Sequence, residues 1–290
     1  MDVMITGASG FLGSEIVKKI NGNSEYSCHC FGFRNKPKYN GITADLSDFD
    51  QINNHLNKIK PDIIIHAAAL TDVDLCEKNL TKAYNLNVLI TKNLVKWCLL
   101  QKKNIRFIYI STDQVYNGVG RLDVENSVSP INFYGMSKLW SEDIVSKLKN
   151  HLIIRTNFFG VSGGLVKWIL DANYNSDSVT LVKDVKFNPI YIGYFLDIFV
   201  EMLTSSKKGV FNLASSGAGI TKADFLDEVI DKFQLNSVKK NYGCMHNIDN
   251  LYAKRPLDMS ISVQKIEQEF GILIPTTSQG IDKMFLDFIA

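Results

Sequence analysis

Short apolar runs bounded by turn residues alternate with amphipathic stretches through the first half of the chain. "VMIT" (3–6) predicts a strand, and "FLGSEIVKKI" (11–20) a helix whose Leu12, Ile16 and Ile20 form one stripe. "YSCHCFGF" (26–33) and "GITA" (41–44) read as the second and third strands. Ser47 is placed to cap the helix "DFDQINNHLNKIK" (48–60), and Pro61 ends it. "DIIIHAAA" (62–69) reads as a buried strand with His66 in the core, and a long helix follows over 82–100. "IRFIYIST" (105–112), "NFYGMSKLWSEDIVSKL" (132–148) and "HLIIRT" (151–156) continue the rhythm as strand, helix and strand.

Strand, helix and strand in this order imply an α/β fold with a doubly wound parallel sheet of the Rossmann type. After Thr156 the pattern turns irregular, with "NFFGVSGG", "DANYNSDS" and the loop around Pro189. A strand-like "GVFNLAS" (209–215), an amphipathic "KADFLDEVIDKF" (222–233) and a last helix near "GIDKMFLDFIA" (280–290) follow. The expected division is a dinucleotide-binding domain over 1–157 and a smaller C-terminal substrate-binding region over 158–290, a cap on the carboxyl edge of the sheet. Some late elements are expected to rejoin that sheet.

A formal charge of +2 over 290 residues, with no basic stripe, argues against a nucleic-acid partner. No apolar run is long enough for a membrane span, and "YIGYFLDIFVEML" is broken by Asp197 and Glu201 at helical spacing. The opening "MDVMITGASG" enters a strand directly, without a signal-peptide pattern. Five cysteines, an odd number, imply reduced thiols and a cytoplasmic setting. Cys28, His29 and Cys30 lie on a strand whose alternation turns His29 away from both thiols, and with no second ligand pair elsewhere no metal site is expected in the chain.

"TGASGFLG" puts Gly7, Gly10 and Gly13 between the first strand and its helix. Glycine permits a tight turn and lets backbone amides approach a pyrophosphate at a helix N-terminus. Ser9, Phe11 and Leu12 share that turn and complete the expected cofactor cradle. Between Glu25 and Asp45 there is no acidic residue to bind the ribose hydroxyls of NAD; Arg34, Lys36 and Lys38 stand there instead. A guanidinium at Arg34 suits a ribose 2′-phosphate, so NADP is the expected cofactor, with NAD the alternative. Asp45 and Leu46 can bracket the adenine. The small residues Ala67, Ala68 and Ala69 leave bare backbone for the ribose and pyrophosphate.

Thr112 closes the fifth strand at the rim where such sheets place their chemistry, and Tyr134 and Lys138 lie four residues apart on the following helix. A free phenol, with a pKa of about 10, is too weak an acid near neutrality, and a nearby ammonium favours its ionised form. Lys138 can also hold ribose hydroxyls, while Thr112 can hydrogen-bond an oxygen that gains charge.

The segments "TGASGFLG", "HAAALTDVDLCE", "LNV" around Asn87, "ISTDQVYNG", "PINFYGMSKLWSE", "IIRTNFFG" and "KRPLDMSIS" resemble the extended short-chain dehydrogenase/reductases. Within them, the chain resembles the dTDP-4-dehydrorhamnose reductase family over nearly its whole length. The resemblance implies Tyr134 as proton donor, Lys138 as its partner and Thr112 as the hydroxyl stabiliser. Asn87 then supports the active-site backbone and the cofactor. Thr112, Asp113, Phe158 and Arg255 would contact a nucleotide-sugar substrate. Phe158 replaces the family's usual tryptophan, and "KFNPIYIG" keeps Pro189 but lacks the glycine and threonine of "GxPT". The implied reaction is NAD(P)H-dependent reduction of a nucleoside-diphosphate 4-keto-6-deoxy sugar, with a homodimer allowed. Two alternatives remain: an epimerase or dehydratase of the same superfamily, and a non-catalytic regulatory subunit that binds cofactor. A dehydratase would carry Asp-Glu where Asp113 is followed by Gln114.

Overall fold

The first strand, β1 (Asp2–Thr6), has four of its five residues buried, as a central strand covered on both faces requires. The computed structural model describes residues 1–33, 35–118, 120, 122–124, 126, 128–248 and 251–290. After β1 come α1 (Phe11–Asn21), β2 (Ser27–Gly32), β3 (Gly41–Thr43), α2 (Phe49–Ile59) and β4 (Ile63–His66). The short helices α3 (Val73–Lys78) and α4 (Leu80–Ala83) lead through a π-helical turn, Tyr84–Leu89, into α5 (Ile90–Leu100). β5 (Arg106–Thr112), α6 (Phe133–Val145) and β6 (His151–Thr156) complete the repeating part.

The main sheet has the order β11-β6-β5-β4-β1-β2-β3, with β11 spanning Gly209–Leu213. β1 pairs in parallel with β2 and β4, β2 with β3, and β4 with β5. This is the doubly wound arrangement the pattern implied, and "GVFNLAS" supplies the strand that rejoins it. Met4, Phe31, Ile64, Phe107 and Tyr109 from the strands pack with Leu56, Leu94 and Trp97 from the helices. His66 is fully buried between Thr6 and Thr91, at 2.7 and 2.9 Å, and burial pushes its pKa down to about 3. It is a core histidine.

By its contacts the chain resolves into two compact units, 1–112 with 132–154 and 198–210, and 113–131 with 155–197 and 211–290. In the second, β7 (Phe158–Phe159), α7 (Gly164–Asn175), β8 (Ser178–Val182), β9 (Lys186–Phe187) and β10 (Ile190–Tyr191) come before α8 (Ile192–Thr204), whose residues from Ile198 on belong to the first unit. The rest comprises β12 (Ile220–Thr221), α9 (Lys222–Lys232), β13 (Lys239–Gly243), β14 (Asp258–Met259), α10 (Gln264–Phe270) and α11 (Thr277–Ile289). Phe225 sits edge-on to Phe159 and Phe187, with centroids 5.0 and 5.3 Å away, and anchors this unit's core.

Three local readings are corrected. Asp48, not Ser47, caps α2: its carboxylate accepts from the Asp50 and Gln51 amides, while the Ser47 hydroxyl donates to Asp45. "DANYN" is helical, because the buried stripe Val166, Ile169 and Ala172 carries α7 on to Asn175. The helix expected over 82–100 widens to π geometry at Tyr84–Leu89, around Asn87.

Candidate active site

At the turn after β1, Gly7 adopts φ +68°, and a Cβ there would meet the Ala68 amide nitrogen at 2.7 Å. A Cβ on Gly13 would lie 2.1 Å from the Gly7 carbonyl oxygen. Both positions therefore require glycine, for backbone approach and for helix-on-strand packing. Gly10 caps α1 without a side-chain hydrogen bond, and the first turn carries no acid. An N-terminus of this kind favours an anion. Ser9 and Gly10 are exposed, Phe11 is half-buried and Leu12 is buried.

A cavity of about 290 Å³ opens beside this turn, lined in part by Ser9, Lys18, Lys36, Lys38 and Tyr39. Arg34 lies outside the described residues. The Asp45 Oδ1 accepts from both the amide and the hydroxyl of Ser47, at 2.9 and 2.7 Å, and Leu46 belongs to the core. Ala67, Ala68 and Ala69 are half-buried, and the Ala68 amide donates to the Thr6 hydroxyl at 3.1 Å.

Helix α6 begins at Asn132, whose side chain accepts from the Gly135 amide at 2.8 Å, while Glu77 accepts from the Phe133 amide at 2.8 Å. With that end fixed, Tyr134, Lys138 and Glu142 follow at four-residue spacing on one buried face, 8%, 3% and 4% exposed. The Lys138 Nζ donates to the Ile110 carbonyl at 2.7 Å and lies 4.1 Å from the centre of the Tyr109 ring. Burial lowers the Lys138 pKa to about 7, against an opposing pull from Glu142 and Cys76. The Ser111 hydroxyl donates to Glu142 at 2.5 Å, which ties the end of β5, and with it Thr112, to the same helix.

Asn87 braces the neighbouring stripe. Its amide oxygen accepts from the Leu70 amide at 2.7 Å, and its Nδ2 donates to the Leu70 carbonyl and to the Ser137 hydroxyl. Ser141 donates to the Asn87 carbonyl at 2.8 Å. Asn87 thus joins the chain just beyond Ala69 to α6, a use of π geometry common at functional sites.

In the second unit, the buried Asp113 accepts from the Asn157 side chain at 2.7 Å. The Phe158 ring lies 6.0 Å from Phe195, and Arg255 donates to the Ala253 carbonyl at 3.0 Å. Lys222 shares the electrostatic surroundings of Asp113 and Arg255; burial lowers its pKa first, Arg255 lowers it further and Asp113 opposes both. Pattern reading missed Lys222, because a lysine at a helix start looks like solvated surface. It also passed over Glu142, whose Ser111 partner comes from another element.

A doubly wound sheet with a glycine turn after its first strand and a buried tyrosine and lysine on the helix after its fifth defines an extended short-chain dehydrogenase/reductase. The chain belongs to the RmlD substrate binding domain family, whose model matches residues 1–289. It is 28% identical over 293 residues to the probable low-salt glycan biosynthesis reductase Agl14 of Haloferax volcanii, covering 97% of this chain and 96% of the relative. It is 27% identical over 285 residues to a dTDP-4-dehydrorhamnose reductase of Aggregatibacter actinomycetemcomitans, covering 93% of each. The fold matches that of the dTDP-4-dehydrorhamnose reductase of Bacillus anthracis solved with NADP, with a TM-score of 0.88 over 99% of each chain at 24% identity.

Proposed function

We propose that the protein reduces the ketone of a nucleoside-diphosphate 4-keto-6-deoxy sugar, using NADPH in preference to NADH. The observation that carries this reading is the buried face Tyr134, Lys138 and Glu142, locked to the end of β5 through Ile110 and Ser111. Family membership and the full-length similarity to a dTDP-4-dehydrorhamnose reductase support the substrate class.

The residues fit a dinucleotide. Gly7 and Gly13 leave a backbone cradle that a Cβ would fill, and Ala67–Ala69 present little side chain beside it. Gly7, Ser9, Gly10, Phe11, Leu12 and Gly13 would hold the pyrophosphate, and Lys36, Lys38 and Arg34 would favour a 2′-phosphate. Asp45 and Leu46 would flank the adenine. When bound, the nicotinamide supplies the hydride that the ketone carbon receives.

Tyr134 donates its phenolic proton to the ketone oxygen as charge develops there. Thr112 hydrogen-bonds the same oxygen, and Lys138 in its ammonium form stabilises the tyrosinate left behind. Asn87 keeps the backbone at Leu70 and the Ser137 hydroxyl in place. Asp113, Phe158 and Arg255 bind the nucleotide sugar, with Arg255 pairing a phosphate. The test is NADPH consumption by purified protein with a panel of nucleotide 4-keto sugars. Consumption with at least one supports the reading. No consumption, together with a stable complex with another enzyme, replaces it with the regulatory-subunit role.

A further inference from the structure

β8 and β13 pair in parallel, from Ser178 opposite Lys239 to Val182 opposite Gly243. Parallel strands leave their sheet at the same end, and the Lys183 amide extends the pairing by donating to the Gly243 carbonyl at 2.9 Å. Asp184 therefore comes out beside Cys244, and the 3₁₀ turn Met245–Asn247 folds His246 back towards both. A carboxylate oxygen, a thiol sulfur and an imidazole nitrogen lie within 4.8 Å of one another. These residues are separated by 60 positions in the chain, yet register alone brings them together.

We propose that Asp184, Cys244 and His246 form a binding site for a zinc-class divalent cation, with water as the fourth ligand. A mixed sulfur, nitrogen and oxygen donor set selects zinc-like ions over magnesium or calcium, which take oxygen ligands. Tetrahedral bonds of about 2.0–2.3 Å separate the donors by roughly 3.3–3.8 Å, within reach of small rotations from the observed spacing. The Met245 amide donates to Asp184 Oδ1 at 2.7 Å, which fixes the carboxylate and leaves Oδ2 for the ion. Asp184 and Cys244 are half-buried while His246 is exposed, so the ion has an entry path and room for water.

The site also has a structural consequence. Val185 and Lys186, next along the chain, hold the backbone at Lys222 and Leu257 at 2.9 and 2.8 Å. An ion at Asp184 therefore braces the strand to which the Arg255 segment is fastened. None of this depends on the reductase reading.

The test uses the reduced, chelator-treated full chain with Co²⁺ and Zn²⁺ as probes. One equivalent of Co²⁺ is expected to give a sulfur-to-cobalt charge-transfer band that Zn²⁺ displaces. Cys244→Ser should abolish the band, and His246→Gln and Asp184→Asn should each weaken binding at least tenfold. The other four cysteines are buried, so thiol labelling of the native chain reads Cys244. Zn²⁺, but not Mg²⁺, is expected to slow that labelling tenfold or more. Circular dichroism confirms that each variant is folded. A wild-type chain without the band, equal protection by Mg²⁺, or a band unchanged in folded His246→Gln or Asp184→Asn would each overturn the site.

Discussion

The hydroxyl of Ser111 donates to the carboxylate of Glu142 across 2.5 Å, with both residues buried, and so fastens the end of β5 to helix α6. Glu142 stands one helical turn beyond Lys138, and its charge supports the ammonium there against burial.

Glu142→Gln keeps the shape and an acceptor for Ser111 but removes the charge. The Lys138 pKa should then fall further, so the alkaline limb of the kcat/KM profile for reduction should move to lower pH. A pH-rate series on both proteins checks this. An unmoved limb with reduced activity would leave Glu142 only a packing role.

In the wild type, Lys138 loses its ammonium charge as pH rises through about 7 in the cofactor-free chain. The folded chain prefers neutral Lys138, so between about 7 and the ordinary 10.5 the unfolded chain binds more protons. This residue's penalty on stability is full below about 7 and fades as pH climbs towards 10.5. Lys138→Met should therefore flatten the rise of stability with pH over that window in denaturant titrations, and it should also damage turnover and cofactor affinity.

Tyr134→Phe should lower turnover by roughly two to four orders of magnitude while NADPH still binds, because only the transferable proton is lost. Single-turnover kinetics and cofactor titration separate the two effects. Near-normal turnover would return Tyr134 to ordinary packing.

Gly13→Ala should destabilise the fold by about 1–3 kcal/mol and abolish tight cofactor binding, since its Cβ meets backbone at 2.1 Å. Gly22→Ala, at the end of the same helix and with nothing within 4 Å, should unfold at or slightly above the wild-type temperature. Thermal melts of the pair isolate the turn from helix propensity.

Lys36→Ala, alone and combined with Arg34→Ala, should weaken NADPH about tenfold or more and leave NADH nearly unchanged. Equal losses for both cofactors would make this loop a solvated basic edge. Arg255→Ala should raise KM for a nucleotide-linked 4-keto sugar without changing NADPH affinity, and Lys222→Ala should do the same if it shares the anion.

Signals confined to one element and its flanks could be read in the sequence. Gly7 and Gly13 announce a close approach because only glycine tolerates one, and Tyr134 and Lys138 share a face by helical spacing. The sheet followed from strand length and alternation. The Asn87 bonds to Leu70 and Ser137 did not show, because they depend on π geometry and on partners 17 and 50 residues away. Glu142 did not show either, because its bond to Ser111 spans 31 residues. The choice of Asp48 over Ser47 turned on the Ser47 hydroxyl being engaged by Asp45, which no single-residue preference reveals.

The strand β11 has a consequence for how the chain is made. The first unit is assembled from three separate stretches, and its last stretch, 198–210, carries the start of the strand that borders β6. During synthesis the growing polypeptide must emerge past Leu213 before β6 gains its neighbour, so until then an unpaired edge faces the surrounding solution. Completion of the first unit's sheet during synthesis is therefore held back by the chain's own topology. A nascent chain whose β6 has emerged while β11 has not would present that open edge, the surface that a chaperone with affinity for exposed strands would meet first.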